Sequence, residues 1–418
     1  MVELLSPAGD FTSLSAVVKN GADAVYIGLE GVNMRINASN FNMDDIKKAS
    51  NMCKEYGSKL YVCTNTILKD KDIERLNRQI PLLAERDVDG VILSDIALIE
   101  NCVENGLEAH ISVQENVTNT NTLKVLKKLH AKRAILSREL SIGEIKNIAS
   151  KSPIETEVFI HGAMCMAISG RCFLSYGLYG RSANCGDCLQ PCRKNWKLSF
   201  DYDKNDKVIN SSDLKTEEES FIMSEAYDNS YRTTFFSPKD MAMIEHMPEL
   251  IDTGVDAFKI EGRARSADYA ATATSVYREA IDLYQKDRKN YKYNPQWMER
   301  LNEVFNRGFD TGFYFNTPYE ISENNKSKYV KKDIGKVINY YNKVEVAEIK
   351  IWDDLAIGDE LMIQGPTTGS VRHTVDSMEI HNEKTDFVKK GQNVGVKIPY
   401  KLRKNDFVYK LVERVEGN

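Results

Sequence analysis

One rhythm, repeated over roughly the first 260 residues, constrains the fold more than any other feature of the sequence. A short run rich in Val, Ile and Tyr leads into a polar or glycine-containing junction, and a stretch with apolar positions at helical spacing follows. The strand-like runs lie at residues 3–6, 24–28, 59–63, 90–94, 109–113, 133–136, 157–161 and 257–260. Helix-like runs include 71–86 and 142–150. Eight such units predict an α/β fold, a (β/α)8 TIM-like barrel.

The rhythm breaks before the last strand. We predict an insertion at about residues 162–232, which contains a group of cysteines and an acidic, serine-rich stretch at 201–230. A helix over 266–287 and an aromatic segment at 291–319 should then pack on the barrel. From about residue 329 onward, short strands separated by Gly, Asn and Asp turns predict a small β-barrel. The predicted domains are therefore 1–327 and 328–418.

The cysteine spacing predicts a metal site. Five of the eight cysteines fall between Cys165 and Cys192, and four of them follow the pattern Cys165-x6-Cys172-x15-Cys188-x3-Cys192. This spacing differs from a zinc ribbon, which uses two C-x2–4-C pairs. A metal ion or iron–sulfur cluster is the favoured interpretation, and a reactive thiol is the alternative. Cys53, Cys63 and Cys102 lie in apolar runs and are expected in the core.

Charge and hydropathy limit the partners. The formal net charge is −5, so any contact with nucleic acid has to be local. No apolar run approaches the roughly 18 residues of a membrane span, and the first residues lack the basic segment of a signal peptide. We therefore expect a cytoplasmic protein without membrane contact. The sequence gives no indication of oligomeric state.

The segment EVFIHGAMCMAISGRCFLS resembles the signature of the family called peptidase U32. The matching positions are Glu157, Phe159, Gly162, Ala163, Cys165, Gly170, Cys172, Leu174 and Ser175. ELLSPAGD, GADAVYIG, SVQENVTN and KIEGRARSADY also resemble family motifs and occur in the family's order. The resemblance covers essentially the whole chain.

The resemblance implies an activity and a cofactor. Family members of this length are similar to bacterial tRNA hydroxylation proteins, which form 5-hydroxyuridine at the wobble position and depend on prephenate rather than dioxygen. Related members hydroxylate ribosomal RNA or the ubiquinone ring. Cluster-bearing members hold a [4Fe–4S] centre, which here would be bound by Cys165, Cys172, Cys188 and Cys192. Cys185 is an additional thiol and leaves open which cysteine completes the set.

Candidate site residues follow from the strand ends, where (β/α)8 barrels place their reacting groups. Lys259, Glu261 and Arg263 alternate along the last strand, so all three can face the interior as catalytic groups or form a buried ion network. Gln114 and Asn116 could read a pyrimidine edge. Prephenate has two carboxylates and would need basic groups. The candidates for binding the cofactor or co-substrate are Arg35, Arg171, Arg265 and His161, with Arg263 as a further guanidinium.

The expected function is an oxygen-independent hydroxylase acting on the anticodon loop of tRNA. Three alternatives stay open: a hydroxylase of ribosomal RNA, a collagenase-like peptidase that would use a Cys165/His161 pair, and a non-catalytic, zinc-stabilised RNA-binding protein. The chain contains neither H-E-x-x-H nor G-x-S-x-G, which gives the peptidase little support.

Overall fold

The computed structural model describes residues 2–36, 38–198, 201–202, 208–210, 215–216, 231–233, 237–317, 321–322 and 324–414. Most of the acidic stretch at 201–230 therefore lies outside the described residues. The described chain forms a parallel barrel with surrounding helices, an insertion and a β-rich C-terminal region.

Eight parallel strands close a barrel. The first seven are β1 (Glu3–Pro7), β2 (Ala24–Gly28), β3 (Lys59–Thr64), β4 (Gly90–Leu93), β5 (Glu108–Ile111), β6 (Arg133–Ile135) and β7 (Glu155–Gly162). The insertion contributes short strands β8 (Trp196–Leu198), β9 (Asp201–Tyr202), β10 (Val208–Asn210), β11 (Lys215–Thr216) and β12 (Tyr231–Thr233). Next come β13 (Asp240–Ala242), antiparallel to β7, and β14 (Ala257–Ile260). Because β14 pairs in parallel with both β7 and β1, the barrel is closed, which confirms the predicted fold and the insertion before the last strand.

The helices begin where the sequence supplies caps. Asp10 accepts a hydrogen bond from the Ser13 N–H (2.7 Å), and Ser141 forms a capping box with Glu144. The helices are α1 (Phe11–Lys19), α2 (Met43–Glu55), α3 (Asp70–Glu85), α4 (Ile99–Glu104), α5 (Thr120–Lys128), α6 (Ile142–Ala149), α7 (Leu174–Tyr179), α8 (Met247–Ile251), α9 (Ala267–Lys286) and α10 (Pro295–Glu303). Within the described chain, none has the length and apolarity needed to cross a bilayer.

The barrel interior contains a buried ion network. Glu157 on β7 accepts from Lys259 Nζ on β14 (2.9 Å) and from Arg133 Nη1 on β6 (3.1 Å), and all three side chains are almost fully buried. Burial opposes ionisation of Glu157, but the two cations outweigh it and lower its pKa. Lys259 is therefore paired with Glu157, a different partner from the Glu261 and Arg263 of the ion network that the sequence left open.

The C-terminal region is an antiparallel sheet with its own core. The short strand β15 (Phe309–Asp310) precedes this region and pairs with β13 at the barrel. The strands of the C-terminal region are β16 (Tyr329–Tyr341), β17 (Val346–Ile351), β18 (Leu355–Ala356), β19 (Glu360–Gly365), β20 (Gly369–Thr374), β21 (Met378–Ile380), β22 (Glu383–Lys384), β23 (Phe387–Val388), β24 (Asn393–Lys397) and β25 (Phe407–Glu413). Eight of them pair in the order β20-β19-β25-β16-β17-β24-β21-β22. Ile334, Leu361 and Val396 lie in a hydrophobic cluster separate from that of the barrel. The β-rich C-terminal region is thus confirmed, and the boundary at 327/328 stays a prediction.

The sheet packs closely on the barrel through α1. Ser15 Oγ donates to the Thr367 carbonyl (2.9 Å), and Lys19 Nζ donates to the Thr368 carbonyl (3.0 Å). Gly369 has φ +80°, and a Cβ built there would lie 2.9 Å from the Ala16 backbone nitrogen. Backbone therefore meets backbone at this contact, which leaves no space for a side chain.

We expect Gly369→Ala to destabilise the protein by about 1–3 kcal/mol, through backbone strain and overlap with α1. Gly358→Ala is the matched control, because Gly358 also has a positive φ (+87°) but no atom within 4 Å of its Cβ position. Urea unfolding of both variants measures the difference. Equal losses would show that overlap with α1 adds no cost beyond the backbone strain.

Candidate functional site

Two adjoining cavities lie at the C-terminal end of the barrel. The larger, which we call the cysteine cavity, has a volume of about 320 Å³, and its lining includes Cys165, Cys172, Cys188, Cys192, Met34, Arg35, Ile168, Gly170, Asn184 and Arg193. The smaller, the barrel-mouth cavity, has a volume of about 60 Å³, and its lining includes Tyr26, Arg35, Cys63, Asn65, Gln114, Arg138, Cys165, Lys259, Glu261 and Arg263. Arg35 and Cys165 belong to both walls. The structure thus brings the four predicted ligands together, beside the predicted polar groups of the last strand.

The end of β7 sets the path of the cysteine segment. Gly162 has φ +108°, and a Cβ there would lie 2.4 Å from the Glu261 carbonyl oxygen, so only glycine fits this turn. Further along, the Cys172 N–H donates to Asn184 Oδ1 (2.9 Å), and the Ile36 N–H donates to the Gly186 carbonyl (3.2 Å). These bonds hold the segment over the loop that follows β2.

Burial keeps two of the thiols, Cys188 and Cys192, protonated. It raises the pKa of Cys192 to about 11 and also raises that of Cys188, and the neighbouring cysteines add to both shifts. Metal binding at this site would therefore release protons. Cys185, in a short 3-10 turn, does not line the cysteine cavity. Over the described ranges, no three His, Cys, Asp or Glu side chains lie close enough to hold a single ion.

Glu261 is surrounded by guanidinium groups. Its carboxylate accepts from Arg35 Nη2 (2.7 Å) and lies 3.8 Å from Arg138 Nη2. Burial opposes ionisation, but Arg35, Arg138 and Arg263 outweigh it and lower the pKa of Glu261 to about 2. Arg138 also stacks on Phe159 at 3.9 Å. Glu261 is thus a fixed anion that orients Arg35 and Arg138, which come from two other loops.

The barrel-mouth cavity has an excess of positive charge. Its lining contains Lys259 and three arginines, with Glu261 as the carboxylate. Arg263 donates to Asn33 Oδ1 (2.8 Å), a neutral partner, and shares the single charge of Glu261 with Arg35 and Arg138. A chain with a net charge of −5 therefore presents a locally cationic pocket, which suits an anionic ligand.

Gln114 and Asn116 occupy different positions. Gln114 lines the barrel-mouth cavity, and its Oε1 accepts from Asn65 Nδ2 (3.2 Å). Asn116 adopts a left-handed conformation (φ 50°) and donates to the Ser169 carbonyl (3.2 Å). Asn116 supports the cysteine segment, whereas Gln114 faces the pocket.

Three other predicted residues lie outside both linings. Arg171 is exposed, and Arg265 stacks on Phe305 at 3.7 Å. His161 is buried with Nδ1 3.4 Å from the Tyr277 hydroxyl, and desolvation with the Arg265 charge lowers its pKa to about 3. Roles for these three residues in cofactor binding stay predictions.

Two arginines of the site were missed by sequence reasoning. Arg138 follows β6, so the strand-end rule that selected the other candidates could have found it. Arg193, directly after Cys192, donates to the Pro238 carbonyl (2.6 Å) and to Ser237 Oγ (3.1 Å). These partners are distant in sequence, and no local pattern indicates them.

A closed (β/α)8 barrel with a four-thiol cavity at its C-terminal face defines the class of protein. The model of Peptidase family U32 matches residues 9–324, so this chain belongs to that family. It is 44% identical over 99% of both chains to an "uncharacterized protease" of Methanocaldococcus jannaschii. It is 34% identical to a collagenase of Porphyromonas gingivalis, again over 99% of both. It is 36% identical to tRNA hydroxylation protein P1 of Bacillus subtilis, over 90% of this chain and 86% of that protein.

The depressed pKa of Glu261 predicts acid sensitivity. Ionised Glu261 stabilises the fold at pH values above its unfolded pKa, about 4.5, and this stabilisation is lost as the pH falls toward about 2. We expect Glu261→Gln to lose roughly 2–3 kcal/mol at pH 7 and to show a shallower decline in unfolding free energy between pH 5 and 2. Glu74→Gln, at an exposed position on α3, is the control. Parallel pH profiles for wild type and Glu261→Gln would contradict the assignment.

Proposed function

We propose that this protein is an RNA hydroxylase that forms 5-hydroxyuridine at the wobble position of tRNA, with a [4Fe–4S] cluster as cofactor and prephenate as co-substrate. The observation that carries the proposal is the junction of a four-thiol cavity with a cationic barrel mouth. The similarity to a tRNA hydroxylation protein supports it.

The thiols suit an iron–sulfur cluster. Cys165, Cys172, Cys188 and Cys192 supply four soft donors around one cavity, the ligand number of a cubane cluster. A single tetrahedral zinc ion requires sulfur atoms about 3.8 Å apart, given Zn–S bonds of about 2.3 Å. A cubane cluster binds each thiolate to a different iron. It therefore takes sulfur atoms that lie farther apart than those around a single zinc ion. When bound, such a cluster supplies redox or Lewis-acid chemistry next to the barrel mouth.

The barrel mouth suits a dicarboxylate. Arg138 and Arg263 can form paired hydrogen bonds with carboxylates, and Arg35 connects this cavity with the cysteine cavity. A volume of about 60 Å³ accommodates a carboxylate group, so the ring of prephenate would extend toward Cys165. Glu261 holds Arg35 and Arg138 in place before the ligand arrives, which lowers the cost of ordering them.

RNA with an unstacked base fits a site at the end of a barrel. A C5 position is reached only when the base leaves its stack, and an anticodon loop presents such bases.

A thiol peptidase would need a general base beside its cysteine. His161 instead faces Tyr277, and its pKa of about 3 prevents it from holding a proton at neutral pH. The pairing of Cys165 with His161 that a peptidase would use is therefore not favoured.

Iron and acid-labile sulfide analysis of anaerobically purified protein tests the cofactor. We expect about four irons per chain. Replacement of Cys165, Cys172, Cys188 or Cys192 by Ser should remove most of the iron and the visible absorption. Cys185→Ser is the matched control and should retain both, because Cys185 does not line the cavity. Stoichiometric zinc without iron, or loss of iron in Cys185→Ser, would contradict the proposed ligand set.

Nucleoside mass spectrometry tests the reaction. Reconstituted protein is incubated without oxygen with unmodified tRNA, with and without prephenate. We expect 5-hydroxyuridine only when prephenate is present, and none with Cys172→Ser. Modified ribosomal RNA in place of tRNA would favour the alternative substrate. Gelatin cleavage by cluster-free wild type that is lost in Cys165→Ala, without RNA modification, would support the peptidase.

A further inference from the structure

A third cavity, which we call the side cavity, adjoins the two already described. It has a volume of about 180 Å³ and lies at the ends of β3, β4 and β5. Gly170 belongs to the walls of all three cavities, and Gln114 belongs to those of the side and barrel-mouth cavities. The groups of the side cavity that matter here are Ile67, Leu68, Asp95, Gln114, Glu115 and Asn184.

The hydrogen-bond network fixes which way the Gln114 amide points. The Met34 backbone N–H donates to Asn65 Oδ1 (3.3 Å), so the Asn65 amide nitrogen faces Gln114. That nitrogen must donate, and the Gln114 atom it meets must be the oxygen. Ser112 Oγ donates to the same oxygen. The Gln114 Nε2 group has no acceptor among the described residues, and Gln114 lines both the side cavity and the barrel-mouth cavity.

Asn184 supplies a second free donor. It is only 5% exposed, and its Oδ1 accepts from the Cys172 N–H (2.9 Å). This bond assigns the oxygen, and the described chain offers no acceptor to the remaining Nδ2 group. Asn184 lines both the cysteine cavity and the side cavity, and an amide nitrogen without a protein acceptor in such a wall suits a ligand with a matching acceptor.

The same cavity contains acceptors. Asp95 and Glu115 place two carboxylates in its wall, and burial together with the Asp95 charge raises the pKa of Glu115. The side chains of Ile67 and Leu68 add apolar surface. The side cavity thus offers two amide donors, carboxylate acceptors and an apolar wall in about 180 Å³. This set of groups matches a planar heterocycle with both acceptors and a donor along its edge.

Resting on the proposed function, we infer that the side cavity is the nucleobase subsite and that Gln114 selects uracil over cytosine. Uracil presents O4 as an acceptor and N3–H as a donor, which complement an amide N–H group and a carboxylate. With position 4 held against the Gln114 amide and N3 held against a carboxylate, cytosine sets its amino group against the amide donor and its N3 lone pair against the carboxylate. The base would enter beside Gly170, next to the cysteine cavity.

Fluorescence anisotropy with labelled anticodon stem-loop RNA tests this inference. Two probes are used, identical except for uridine or cytidine at the wobble position. We expect wild type to bind the uridine probe at least about tenfold more tightly. Gln114→Glu should reduce the ratio below about threefold, because glutamate accepts the bonds from Asn65 and Ser112 but lacks the amide donor. The added negative charge repels both probes equally. The ratio of the two affinities is therefore unaffected by that repulsion.

Gln114→Met, which removes the polar group without adding charge, should show the same fall in the ratio. Gln296→Met, at an exposed position at the start of α10, should keep the wild-type ratio. Circular dichroism confirms folding of each variant. Wild-type binding with an unchanged ratio in both Gln114 variants overturns this inference alone. The absence of both stem-loop binding and tRNA hydroxylation in wild type overturns the proposed function as well.

Discussion

The carboxylate of Glu261 is the interaction on which the arrangement of the site depends. It lies within reach of Arg35 and Arg138, and the field of Arg263 helps to keep it ionised. These arginines come from the loops after β2, β6 and β14, so one buried anion ties three parts of the barrel together. Without it, several guanidinium groups would face one another in a small cavity, at a cost that the fold could not easily offset.

The cysteine segment uses the barrel as a rigid support. It leaves β7 at a turn that only glycine can adopt and is held by hydrogen bonds to Asn116 and the loop after β2. A ligand set on such a support keeps its geometry better than one on a free loop. The same support explains why Cys165 can line both the cysteine cavity and the barrel-mouth cavity.

Charge is distributed unevenly in a way that net charge conceals. The chain as a whole is acidic, yet the barrel-mouth lining is cationic and the side cavity contains two carboxylates. Adjacent pockets of opposite character can hold different parts of a reaction, an anionic co-substrate in one and a neutral base in the other. Lys259, on β14, is paired with Glu157, whereas Arg263, in the loop after β14, hydrogen-bonds to the neutral side chain of Asn33.

Sequence periodicity was sufficient to establish the barrel, the insertion and the β-rich C-terminal region, because the spacing of apolar residues is a local property. The cysteine spacing predicted a metal site, because four thiols in one segment restrict the chemistry available to it, and that site stays a prediction. Only the folded chain decided which polar residues face a common cavity. Arg138 joined the site, and Arg265 and His161 lay outside both linings. Side-chain direction at a strand end depends on barrel closure and on partners far away in sequence, which no local pattern encodes.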